Sequence, residues 1–225
     1  MILQPALEGM LGLKTDARSH SIEMTPYLPP QWKEMDVRNI RLAEQRVTMK
    51  VKREIGETVF SFSVASLHKA KQSRTVRLIL QPIFPLGTHL QQILIDGKLK
   101  GRGGTVDRYQ SNPTIRANMK SHLEVRFKHS NGVSVVPPKP QFVREGESKG
   151  LRIVEERRNF NAYVLTLEGR AGEEYLVDVF DPSGNVKHID GAVALARDGE
   201  HLTVSVRFPG TIATGYARRE VSLSM

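Results

Sequence analysis

Cysteine is absent from the 225 residues. That excludes disulfides, thiolate metal sites, iron–sulfur clusters and a cysteine nucleophile. It leaves the compartment open, because a chain without thiols is stable in either redox setting. Aromatic residues make up only 6%, with a single tryptophan, Trp32, so a stacking platform for bases or sugar rings is poorly supplied. No run of about 18 apolar residues occurs, and no membrane-spanning helix is expected. The first residues lack a basic start ahead of an apolar stretch, so no secretory signal is read there. The GxSxG elbow and the GxxxxGK[ST] phosphate loop are both missing.

What is present is an ordinary globular balance, 39% hydrophobic and 25% charged, long enough to bury a sizeable core. The formal net charge is +9. It is unevenly spread: residues 1–150 hold 24 Lys/Arg against 13 Asp/Glu, and residues 151–225 hold 9 against 11. Such a split describes surfaces and partners rather than fold.

Residues Met1 to Leu13 place apolar side chains at close to helical spacing and predict a short N-terminal helix, with Gly12 at its end. So short an apolar helix must dock on something. From Ser21 onward the period changes to two. Val47, Met49 and Val51 alternate with Thr48, Lys50 and Lys52. The same alternation recurs over Thr75–Leu80, His122–Lys128 and His201–Phe208, and less cleanly over Thr58–Val64. Half-buried strands have this pattern. Ile55-Gly56, Asp96-Gly97, Asn112-Pro113, Asn131-Gly132, Pro182-Ser183-Gly184 and Asp198-Gly199 punctuate them. Asn131-Gly132 and Asp198-Gly199 read as hairpin turns. The expected fold is an all-β antiparallel β-sandwich with a short N-terminal helix. Its parts are a helix tail and linker over 1–18 and a sandwich over 19–140. Residues 141–225 then supply further strands of that sandwich or a second small β subdomain. A proline-rich seam lies at Val136–Lys149.

The candidate chemistry is sparse. The seven histidines form no HxH or HxxxH pair, so neither a metal site nor a cofactor is expected. Asp178 with Asp181, or Glu155 with Glu156, are the carboxylate pairs available for acid–base work. Asp181-Pro182-Ser183-Gly184 is better explained as a β-turn capped by the aspartate. Glu155-Glu156-Arg157-Arg158 reads as a solvated charge run. Residues 100–105, Lys-Gly-Arg-Gly-Gly-Thr, read as a hairpin tip. The stretch Lys98–Lys128 is basic, and Lys98, Lys100, Arg102, Arg108, Arg116 and Lys120 form a candidate binding face for a polyanion. With Tyr109 the only aromatic between Phe84 and Phe127, nucleic acid is not favoured. Trp32, after Pro29-Pro30-Gln31, and Leu28 are read as buried structural anchors.

Gly9-Met10-Leu11-Gly12-Leu13, then Tyr27-Leu28-Pro29-Pro30-Gln31-Trp32 and the alternating Val47–Val51, resemble the start of a known domain. It is the C-terminal β-sandwich of bacterial glycoside hydrolases with an (α/α)6 barrel. The nearest likeness is to amylo-alpha-1,6-glucosidase and glycogen-debranching-type proteins, with similar passages in alpha-L-rhamnosidases and disaccharide phosphorylases. The resemblance covers roughly residues 1–53. It implies that Met1–Leu13 is the tail of the last barrel helix and that the LPxxW passage enters the sandwich. It places the catalytic acid and base in the barrel, so no catalytic residue is carried onto this chain. The implied partner is a barrel domain of the same parent protein, with an oligosaccharide as possible ligand. A homodimer through the exposed helix, or a fold-back of that helix, is expected if the chain stands alone. The rival expectations are a standalone binding module for carbohydrate or polyanion, and a small β-fold hydrolase using Asp178 or Glu155.

Overall fold

The computed structural model describes residues 6–29, 31–67, 74–106, 112–136, 150–159, 161–210 and 215–225. Within them the chain is all-β and sandwich-like, as expected. It divides into two compact units, Met1–Phe84 with Thr88–Ser130, and Pro85–Gly87 with Asn131–Met225.

Among the described residues the first unit has ten strands. They are β1 (Lys14–Asp16), β2 (Ser21–Met24), β3 (Glu34–Leu42), β4 (Gln45–Glu54) and β5 (Glu57–Ser66), then β6 (Val76–Leu80), β7 (Leu90–Ile95), β8 (Lys98–Gly101), β9 (Ile115–Met119) and β10 (His122–His129). One sheet runs β1-β2-β6-β9 and the other β3-β4-β5-β10-β7-β8. Alternation decides which side of each strand is dry. Ile22, Met24, Val76, Leu78, Leu80 and Met119 are buried on the first sheet. Val47, Met49, Val51, Phe60, Phe62, Val125 and Phe127 are buried on the second. The Phe127 ring meets those of Phe60 and Phe84 edge-on, with centroids 5.9 and 5.3 Å away. That geometry is the favoured one for aromatic pairs. The pairing is antiparallel except for β2 and β6, which run parallel. The stretch from β2 to β6 contains three strands of the other sheet, which supplies the crossover a parallel pair needs.

The N-terminal segment docks on this unit's own backbone. Ala6–Met10 form a single π-helical turn, and residues 1–5 lie outside the described ones. The Met10 and Leu11 carbonyls accept hydrogen bonds from Tyr27 and Thr25 at 2.7 and 2.8 Å, and Leu11 is buried. Gly12 has φ +54°, and a Cβ there would stand 2.9 Å from Thr25 Cβ. Glycine is required on both counts.

Among the described residues the second unit has eight strands. They are β11 (Ser134–Val136), β12 (Arg152–Asn159), β13 (Ala162–Arg170), β14 (Glu174–Phe180), β15 (His188–Asp190), β16 (Val193–Asp198), β17 (His201–Arg207) and β18 (Tyr216–Ser224). Its sheets run β11-β14-β17-β16 and β12-β13-β18-β15. Val177, Val179, Val204 and Val206 are buried on one, and Leu165, Leu167, Val221 and Leu223 on the other. The sheets touch at Gly169 of β13. A Cβ there would meet the rings of Phe208 and Tyr175 at 2.7 and 2.8 Å, and the Arg170 amide donates to the Tyr175 hydroxyl.

Three expectations are corrected. Asn131-Gly132 is not a hairpin turn: β10 pairs with β5 and β7, while β11 pairs with β14, so the dipeptide links the two units. The hairpin near Asp198 does form, but its loop is Gly199-Glu200, since Asp198 still pairs with His201. Trp32 is not a buried anchor; it is 41% exposed, and Leu28 is only half-buried. The turn closes on the Trp32 backbone, whose amide donates to the Pro29 carbonyl, and no strand alternation turns its ring inward. The other core residues predicted nearby, Val47, Met49, Val51, Phe60 and Phe62, are all buried.

Candidate functional site: a trough along β5

The outward face of the six-stranded sheet is lined by alternating charges, and strand pairing decides how they meet. Asp36 lies opposite Lys50, Lys50 opposite Ser61, and Ser61 opposite Glu124. One row along, Glu34, Lys52, Val59 and Arg126 line up in the same way. The outward residues of β5 in these rows are therefore short, while their neighbours on β4 and β10 are long. A trough results, with Val59 and Ser61 as its floor. It encloses about 620 Å³ and is bordered also by Met35, Val51, Glu54 and Glu57.

Its walls are held by charge pairs. Arg126 donates from Nη1 to Glu57 at 2.8 Å and from Nη2 to Glu124 at 2.9 Å. Those bonds, Glu124 first, push the Arg126 pKa up. Lys52 reaches Glu54 at 2.6 Å; this bond raises the lysine's pKa and lowers the glutamate's. Asp36 pairs with Arg38 at 2.8 Å and stands 4.0 Å from Lys50. In each resolved case the shift favours the charged form. Such a wall offers fixed donors and acceptors rather than a proton to move.

The residues singled out in the sequence lie elsewhere. Lys98 and Lys100 are exposed on β8, the edge strand of the six-stranded sheet, with exposed Arg102 just beyond. Lysine on an edge strand also discourages pairing with another chain. Arg116 is exposed on β9, in the other sheet, and Lys120 follows it. Arg108 lies outside the described residues. None of the ion pairs among the described residues involves Lys98, Lys100, Arg102 or Arg116. The basic residues are thus spread over two sheets and do not line the trough.

Three of the four carboxylates considered for catalysis, Asp178, Asp181 and Glu156, are engaged in hydrogen bonds. Asp181 is buried and caps its own turn: its oxygens accept from the amides of Asn185 and Val186 and from Arg197 Nη2. The turn reading of Asp181–Gly184 therefore holds. Asp178 faces outward against His201 Nδ1 at 3.0 Å. Glu156 accepts from the Tyr163 hydroxyl, and Glu155 is exposed on an edge strand. No group of three or more His, Asp or Glu side chains placed to hold a metal ion occurs among the described residues.

No family model matches the sequence, and no curated protein matches it. Among solved structures the chain aligns with a GH127 beta-L-arabinofuranosidase from Geobacillus stearothermophilus T6. The identity is 12% and the TM-score 0.32, over 91% of this chain and 33% of that one. It also aligns with the chondroitin AC lyase of Streptomyces coelicolor A3, with 14% identity and a TM-score of 0.22, over 86% of this chain and 35% of the other. The chain spans about a third of the length of these proteins. Likeness at this level carries no argument about function.

Proposed function

We propose that this chain is a non-catalytic accessory β domain of a carbohydrate-active enzyme. In its finer form the proposal is the C-terminal sandwich of a bacterial glycoside hydrolase acting on alpha-glucans or related oligosaccharides. Its role would be structural or would shape the substrate entrance. The observation that carries the reading is the entry segment. The Gly9–Leu13 passage on which the family resemblance rests is knitted to Thr25 and Tyr27, at the start of the other half of that resemblance. A helix tail leaving a barrel would enter a sandwich in this way. The structural employment of Asp181 and Glu156 supports the same reading, since it removes them from acid–base work.

On this proposal the partner is an (α/α)6 barrel of the same parent chain, and the reacting carboxylates lie there. Without the barrel, a fold-back of the entry segment is expected, in keeping with its bonds to Thr25 and Tyr27. The test is the genomic reading frame upstream of Met1. A frame continuing into helical repeats with paired carboxylates supports the proposal. An in-frame stop with a ribosome-binding site just ahead of Met1 overturns it. The second reading, a standalone module for a polyanion, is favoured by the exposed Lys98, Lys100 and Arg102. It predicts salt-sensitive retention on immobilised heparin.

A further inference from the structure

The trough along β5 has a composition that selects its ligand. Five carboxylates, Glu34, Asp36, Glu54, Glu57 and Glu124, face three cations, Lys50, Lys52 and Arg126. On a chain of net charge +9, this is a locally acidic strip. A polyanion would be repelled by the carboxylates, and the cations are already paired with them. A polycation would meet Lys50, Lys52 and Arg126 along both walls. An apolar ligand would have to strip water from eight charged side chains with no compensating bonds. What remains is a neutral ligand dense in hydroxyl groups, each able to donate to a carboxylate and accept from a lysine or arginine. Donors and acceptors recur every ~5–7 Å across the face, the spacing of strands and of same-side residues. The floor of Val59 and Ser61 runs along the strand, so an elongated ligand would lie parallel to β5.

We infer that this trough is a binding site for a neutral oligosaccharide, held by hydrogen bonds donated by Lys50, Lys52 and Arg126 and accepted by Glu124 rather than by ring stacking. The polarity of the trough selects a neutral polyol; the choice of a saccharide among polyols rests on the accessory-domain reading. Because no aromatic face lines the trough, the expected dissociation constant is on the order of 1 mM.

The experiment is a saturation-transfer-difference NMR titration of the full chain with maltohexaose, with a heparin hexasaccharide as the anionic contrast. Maltohexaose should give saturable transfer that Glu124→Gln weakens by about tenfold, equal to ~1.4 kcal/mol. Ser61→Tyr, which fills the floor, should abolish it. Both variants should keep the wild-type urea midpoint. The double variant Lys98→Gln/Lys100→Gln, away from the trough, should leave the maltohexaose signal unchanged. Absence of transfer from maltohexaose at millimolar concentration overturns the inference, as does transfer that Ser61→Tyr leaves intact in a folded protein. This result is independent of the upstream reading frame: binding beside an upstream stop codon keeps the trough and removes the accessory-domain reading. An upstream barrel without binding does the reverse.

Discussion

The outward faces of two sheets, one in each unit, follow the same strand alternation to opposite ends. On β3, β4 and β10 the outward positions carry Asp36, Lys50, Lys52, Glu124 and Arg126, held in ion pairs both within and between strands. On β14, β17 and β16, Leu176 lies opposite Ser205, and Ser205 opposite Val193. Leu176, Val193 and Leu195 are 63%, 63% and 56% exposed. The edge strands differ in the same sense. β8 shows Lys98 and Lys100, whereas every residue of β16 is exposed and its first four are apolar, Val-Ala-Leu-Ala. A bulge between Ala194 and Ala196 is what interrupts that edge, and bulges protect edges as lysines do. A charged face is costly to dry and suited to hydroxyl-rich solutes. An apolar one gains when covered. The period of a strand therefore says that one side is wet, while the residues on the wet side say what it can meet.

The sharpest test of the comparison removes what the units share, a packed aromatic contact. Phe127→Ala in the first unit and Phe208→Ala in the second should each lower stability by about 3–5 kcal/mol, read from urea midpoints. A loss below about 1 kcal/mol at either site would mean that ring is not part of a close-packed core. Backbone approach gives a smaller contrast. Gly169→Ala drives a methyl against the Phe208 and Tyr175 rings and should cost about 1–3 kcal/mol. Gly104→Ala, with nothing within 4 Å of its Cβ, should be close to neutral in the same measurement.

Titration separates the units further. His129 is buried in the first unit. Its Nδ1 donates to the Ser130 carbonyl, and in the neutral ring its Nε2 accepts from the Thr58 hydroxyl. Burial, and then the charge of Arg53, lower its pKa below the ordinary 6.5, while Ser130 and Glu57 pull the other way. The unfolded chain thus binds the proton more readily. Stability should fall as pH drops from 6.5 toward the folded-state value, and rise again on returning above it. Urea midpoints between pH 7.5 and 5 should show this slope, and His129→Gln should flatten it. The smallest expected effect is on the apolar face. Leu176→Ser with Leu195→Ser should leave the urea midpoint within about 0.5 kcal/mol and reduce binding of a hydrophobic dye.

The fold class was legible because alternating runs such as Val47–Val51 and Leu123–Phe127 follow the period of two, and Thr58–Val64 follows it less cleanly. Strand partners were not. Alternation along β5 names Val59 and Ser61 as outward residues. Only the pairing of β5 with β10, some 60 positions later, sets Glu124 and Arg126 beside them. The trough was therefore invisible in the sequence, whereas the basic run Lys98–Lys128, contiguous in the chain, stood out and is dispersed by the fold over two sheets. Trp32 misled for a related reason. A large aromatic implies burial only where a regular element aims it inward, and it stands in a turn.

The central claim is that the charged face of the first unit, and not its basic edge or the second unit, meets a saccharide. Backbone amide chemical shifts recorded while maltohexaose is added test it most directly. The account predicts shifts concentrated in residues 48–61 and 122–128, with β8 and β16 unmoved. Shifts confined to β8, or to any strand of the second unit, would contradict it.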